Sequence, residues 1–192
     1  MPSDTKARMI DAAIDALQRR GVAGMSFTEI LDASGAARGA IYHHFPGGKG
    51  ELVAEAATRN GLDVRAHMAA LPGTTPAAIV DNFLAAVRPV VAASAGGGGC
   101  AVAAITVEPD GDVLRTIADT AFTSWTTALA ERLGATGVEP AEAADLATAL
   151  IGLLEGAHIL CRAAGTLEPF ERTARAATEL IRSRYPHREK SR

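Results

Sequence analysis

The chain has 192 residues, 48% hydrophobic and 4% aromatic, with a formal charge of −3. That length and apolar content exclude a disordered chain and allow one sizeable core, or a small domain beside a larger one. Much of the apolar content is alanine and β-branched runs are few, which argues against a large sheet, and the acidic balance excludes a uniformly basic surface but not a local one.

From Thr5 to Arg20, Ile10, Ala13, Ile14 and Leu17 recur at helical spacing, and Gly21 stops this first helix. Ser26-Phe27-Thr28-Glu29 has the form of a capping box, in which the serine takes an amide three residues on and the glutamate reaches back. It opens a second helix with Phe27, Ile30 and Leu31 on one face, ending at Ser34-Gly35. A short third helix covers residues 38–44, and Pro46-Gly47-Gly48 breaks the chain before a fourth over 50–71. After the turn Pro72 to Pro76 an apolar helix covers 77–94, with Pro89 inside it expected to kink it or free a carbonyl. Gly96 to Gly99 reads as a linker, because no strand precedes it and no Lys-Ser/Thr follows to make a phosphate loop. Residues 100–107 read as a short buried helix, though their composition would also suit a strand, and Pro109-Asp110-Gly111 as punctuation; helices over 113–133, 140–164 (opened by Glu139-Pro140) and 168–183 complete nine. The expected fold is therefore all-α: a three-helix head over 1–50, a helical domain over 51–185, and a basic tail over 186–192. The opening MPSDTKARMIDAA has no signal-type apolar stretch, no window approaches eighteen apolar residues without a charge or breaker, and Cys100 and Cys161 are the only cysteines. These features read as a cytoplasmic protein with reduced thiols and no membrane association.

Two short helices joined by a tight glycine turn form a helix-turn-helix, with Ile30, Leu31, Ile41 and Phe45 as its core and Gly35 in the turn. The outward face of the second helix then shows Arg38, Gly39, Ala40, Tyr42, His43 and His44, with no acid to repel a phosphate-lined groove. Arg38 suits guanine O6 and N7 or a phosphate, Gly39 permits close approach, and Ala40 suits a thymine methyl. Tyr42, His43 and His44 can donate to phosphates, His43 also to a base edge, while Ser26, Thr28 and Lys49 supply phosphate contacts around them.

The pattern Ser26-x-x-Glu29-Ile30 … Gly35 … Gly39-Ala40-Ile41-Tyr42-His43-His44-Phe45 … Lys49-x-Glu51-Leu52 resembles the tetracycline-repressor (TetR) family of bacterial regulators over about residues 8–55. Gly99-Cys100-Ala101-Val102-Ala103-Ala104 with Glu108 looks like its LmrA/YxaF-type branch. Phe45 and Lys49 are four apart where the family more often has three, and an aromatic is commoner where His43 stands. The resemblance implies a homodimeric repressor with two heads, released from a palindromic double-stranded operator by a small molecule bound in the C-terminal domain.

For that effector, His67, Glu108, Glu155 and His158 are the polar groups expected in an apolar interior, with Phe83, Phe122, Trp125 and Leu154 as lining or plain core. His158 and Cys161 lie three apart, and His67 and Cys100 extend the set that a metal- or thiol-sensing regulator would use. An enzyme built on Glu155, His158 or Cys161 is the remaining alternative, against which stand the absence of a nucleophile–base pair, a strong metal signature and a cofactor loop. The expectation is thus of no catalytic residue, no resident metal and no cofactor. Ala144, Thr148, Gly152 and Gly156 repeat every four residues, and each helical glycine costs about 1 kcal/mol against alanine. Close packing against another copy, together with residues 168–183 in a four-helix interface, offsets that cost; tight packing inside one subunit is the alternative.

Overall fold

The computed structural model describes residues 2–107 and 112–186, and among these it contains nine α-helices and no strand. They are α1 (Pro2–Gly24), α2 (Phe27–Ser34), α3 (Ala40–His44), α4 (Gly48–Ala69), α5 (Pro76–Ala95), α6 (Ala101–Ala104), α7 (Asp112–Gly134), α8 (Pro140–Ala164) and α9 (Glu168–Arg184). The chain forms two compact units, Met1–Val64 with Gly98–Thr123, and Arg65–Gly97 with Ser124–Arg192. Both α4 and α7 therefore contribute residues to both units.

In the first unit, Met9, Ala13 and Leu17 of α1 are buried with Ile30 of α2, Ile41 and Phe45 at α3, and Leu52, Val53, Ala56 and Ala57 of α4. Leu31, expected in this core, is only half-buried and lies at its rim. Gly21 does interrupt the first helix: its φ of 67° is non-helical, and the helical residues after it form a separate turn. Gly35, at φ 64°, lets the chain leave α2 in the left-handed region, its N–H bonding back to Asp32 and the next N–H to Leu31. Ser26 accepts from the Glu29 N–H at 3.2 Å, but the glutamate half of the expected box is otherwise engaged: its carboxylate pairs with Arg20 of α1 at 2.9 Å. Arg8 donates to the Ser34 carbonyl at 2.9 Å, closing the C-terminal end of α2. The short α6 packs on α1, with Ala101 and Val102 buried, so residues 100–107 form a four-residue helix followed by a turn.

In the second unit α5, α8 and α9 pack on one another around Phe83, Val87, Val91, Leu154, Cys161 and Phe170, with Trp125 and Leu129 of α7 also buried. Both α5 and α8 are apolar and long enough to cross a membrane, at a mean hydropathy of 1.4. They serve instead as core helices, and α5 ties its polar side to α9 through Asp81–Arg182 (2.9 Å) and Arg88–Glu171 (2.7 Å). Pro89 sits on an exposed part of α5, and the Ala85 carbonyl that it leaves without a helical partner belongs to an exposed residue, so the helix continues to Ala95. Glu139 caps α8 by accepting from the Ala141 and Glu142 amides at 2.9 and 3.3 Å, with Pro140 in the first turn.

Candidate nucleic-acid interface

Helix α3 has only five residues and no side-chain cap, too short to persist alone, so neighbouring contacts hold it in place. Ile41 points inward and Phe45, wholly buried, closes the helix with its N–H on the Ile41 carbonyl at 2.7 Å. The helical period then turns Tyr42 and His43 outward, both exposed, with His44 half-buried. Tyr42 is 67% exposed while its ring meets Phe27 of α2 edge-on at 6.1 Å, so it is both braced and outward. His43 and His44 lie edge to face at 4.9 Å.

Arg38 and Gly39 fall in the turn just before α3 instead of within it; both are exposed, and Ala40 is half-buried. Nothing lies within 4 Å of a Cβ built on Gly39, whose backbone is in the ordinary helical region. The chain itself therefore places no demand for glycine at that position. Ser26 and Thr28 are exposed around the start of α2, and Ser26 keeps its hydroxyl hydrogen after accepting the Glu29 amide. Lys49 lies in the first turn of α4. The Pro46-Gly47-Gly48 turn before it is fixed by the Gly47 N–H on Glu51 at 2.7 Å and the Gly48 N–H on the Phe45 carbonyl at 2.9 Å. Among the described residues neither Arg38, which is exposed, nor Lys49, which is half-buried, has a hydrogen-bond or ion-pair partner.

The residues expected to hold an effector distribute differently. Phe83, Trp125 and Leu154 are buried core, Phe122 and Glu155 are half-buried, and Glu108 lies outside the described residues. His67 is exposed near the end of α4, which overturns its expected place in an apolar interior: the helix turns that position to solvent. His158 is buried at 6% exposure, and Nδ1 lies 2.7 Å from Oγ of the fully buried Ser94. Burial holds its imidazole below the usual histidine range, that is, neutral. A serine–histidine pair is thus present where none was expected from sequence. Ser94 shares the buried face of α5 with Val87 and Val91, a spacing that was the available signal. Closed from solvent, the pair satisfies two core polar groups rather than offering a nucleophile. No group of three or more His, Cys, Asp or Glu side chains converges among the described residues, so the set His67, Cys100, His158 and Cys161 does not assemble there.

On α8 the buried stripe is Ala143, Ala147, Leu150, Ile151, Leu154, Ala157, His158 and Cys161. Ala144, Thr148 and Gly152 lie on the other side, exposed, with Gly156 half-buried. Nothing lies within 4 Å of a Cβ on Gly152 or Gly156, so close packing inside the subunit does not account for them. Ile159 and Leu160 continue this exposed side, and Leu180 is exposed on α9.

A short helix held by a buried ring, presenting an acid-free face beside two uncommitted cations, defines a helix-turn-helix DNA-binding protein. Residues 9–56 match the family described as bacterial regulatory proteins, tetR family, and residues 76–176 match the LmrA/YxaF-like transcriptional regulator C-terminal domain. An HTH-type transcriptional regulator of Mycobacterium tuberculosis (strain H37Rv) is 30% identical over 190 residues, 95% of this chain and 97% of the relative. The HTH-type transcriptional regulator LmrA of Bacillus subtilis is 26% identical over 183 residues, 93% and 97% of the two chains. The chain belongs to the TetR family of transcriptional regulators, in its LmrA/YxaF-like branch. Solved structures share the fold. A TetR-family regulator from Cytophaga hutchinsonii aligns with a TM-score of 0.75 at 23% identity, covering 97% of this chain and 98% of that one. The TetR-family regulator CifR, solved as a cysteine mutant with 26-bp double-strand operator DNA, aligns at 0.67 and 19% identity over 91% and 95%.

Proposed function

We propose that this DNA-binding transcriptional regulator is a homodimeric repressor that reads a palindromic operator through α3 and leaves it when a small molecule binds the helical domain over 51–185. The observation that carries the DNA-reading face is the uncommitted Arg38 beside Gly39, a glycine that nothing within the chain requires. Arg38, Ala40 and His43 read base edges. Gly39 lets the backbone approach the groove, and Ser26, Thr28, Tyr42, His44 and Lys49 hold phosphates. The exposed small-residue side of α8 and the apolar Leu180 of α9 support pairing of two copies through these helices, which would set the spacing of two half-sites. For the effector, Glu155 and His158 are retained as contacts and His67 is not. The protein acts by binding rather than by turnover, in the cytoplasm where the chromosome is.

Selection of bound duplexes from a random-sequence pool tests this reading. The expected product is a palindrome, bound with an affinity that falls steeply as salt rises. Recovery of no common sequence, or binding indifferent to sequence, would reject it. With such a duplex in hand, a compound panel scored for release identifies the effector class.

A further inference from the structure

Lys6 of α1 places its ammonium 2.8 Å from each carboxylate oxygen of Glu55 on α4. The same ammonium lies 5.2 Å from the centroid of the Phe45 ring, the buried anchor that closes α3. One cation thus joins three elements of the head. A basic residue near the start of such a head suggests a phosphate contact, as Arg38 and Lys49 do. Lys6 differs from both: its charge is already matched by a carboxylate and rests on an aromatic face, and a phosphate would have to displace both contacts. The need it meets is also visible. Helix α2 is held to α1 by Arg8 and Arg20, whereas α3 is five residues long and uncapped. We infer that Lys6 is a positioning residue for DNA reading, which with Glu55 sets the seating of Phe45 and hence the aim of α3, and which contacts no phosphate itself. The inference rests on the DNA-reading assignment above.

The two roles differ in sign at Glu55. If Lys6 gripped a phosphate, removing the competing carboxylate would free it and lessen repulsion of DNA, and Glu55→Gln would bind DNA more tightly. If Lys6 positions α3, Glu55→Gln weakens binding. The test uses full-length protein and a duplex that the wild type has isolated from a random-sequence pool. Lys6→Gln, Glu55→Gln, their combination and Lys6→Arg are titrated across a salt series, with folding checked by circular dichroism. Each single neutral variant is expected to lose affinity about fivefold, with the double variant no worse than either. Lys6→Arg is expected to recover most of the loss, and the slope of log affinity against log salt to match the wild type. Tighter binding by Glu55→Gln, unchanged affinity in both single variants, or a slope lowered by about 1 in Lys6→Gln overturns the inference. Should Lys6→Gln fold poorly, the nearly isosteric Glu55→Gln decides by its sign alone. Failure of the wild type to isolate any duplex defeats the DNA-reading assignment itself, whereas isolation followed by any of those three results defeats only the role of Lys6.

Discussion

The outward faces of α3 and α8 are both left uncovered by the chain, yet their chemistry is opposite. Around α3 stand a guanidinium and an ammonium without partners among the described residues, two imidazoles and a phenol. Along α8 stand alanine, threonine and two glycines, continued by Ile159 and Leu160. Exposed polar side chains cost nothing in water and gain by meeting phosphates. Exposed apolar side chains on a small-residue helix gain only when another apolar surface covers them. Exposure alone therefore does not mark a site. What the surface would lose or gain on being covered tells a nucleic-acid face from a protein face.

On α8 the decisive position is Gly152. Gly152→Glu places a charge on a position that is open in the single chain, so the subunit should fold unaltered while pairing fails. Sedimentation should show the monomer, and operator affinity should fall about hundredfold or more, because the two heads of the proposed dimer would no longer bind together. Retention of a dimer with wild-type operator affinity would remove α8 from the interface.

On the α3 side, Arg38→Ala is expected to cost about 1–3 kcal/mol of operator binding and to relax sequence preference at one position in each half-site. Lys49→Ala should weaken all duplexes alike and lower the salt slope by about 1 for each head. Equal loss on operator and random DNA in both variants would show that Arg38 touches only the backbone.

A smaller effect sharpens the contrast from within the core. His158 is held neutral by burial, so the unfolded chain binds more protons than the native one as pH falls. Its contribution to stability is complete above the ordinary histidine value of about 6.5 and is lost as pH drops below it, by at most about 1.4 kcal/mol per pH unit. His158→Asn, which keeps an acceptor for Ser94, should flatten that part of the stability curve between pH 7.5 and 5 measured by denaturant unfolding. An unchanged slope in the variant would assign the dependence to other groups.

The smallest effect is expected at Gly39. Its helical φ of −70° and the open space around it allow alanine at a stability change within about 0.5 kcal/mol. Operator binding by Gly39→Ala should nevertheless weaken, since the added methyl meets the groove. Full operator affinity in a stable Gly39→Ala protein would show that the backbone does not approach DNA there.

Much of the head was legible in the sequence because its signals are local. Gly21 and Gly35 end helices, Ser26 caps one, and the spacing of Ile41 and Phe45 selects the inward face of α3, all within a few residues of one another. The nine helices of the described residues and their order followed from the same short-range cues. Glu29 shows where local reasoning stops. The capping pattern specified its position, but whether its carboxylate turns back to its own helix or across to Arg20 depends on where α1 lies. Lys6, Glu55 and Phe45 are likewise brought together only by folding, across 49 residues between the first two, and no pattern in the chain marks them as a group. The same holds for Ser94 and His158, 64 residues apart, and for the exposure of His67, which its residue type did not reveal. The sequence alone thus determined the helices, the turn chemistry and the residues turned outward on α3, since each rests on contacts within one or two helical turns. Tertiary structure decided which charges are committed to partners and which remain free, because a side chain's electrostatic partner is set by the packing of distant elements and not by its neighbours along the chain.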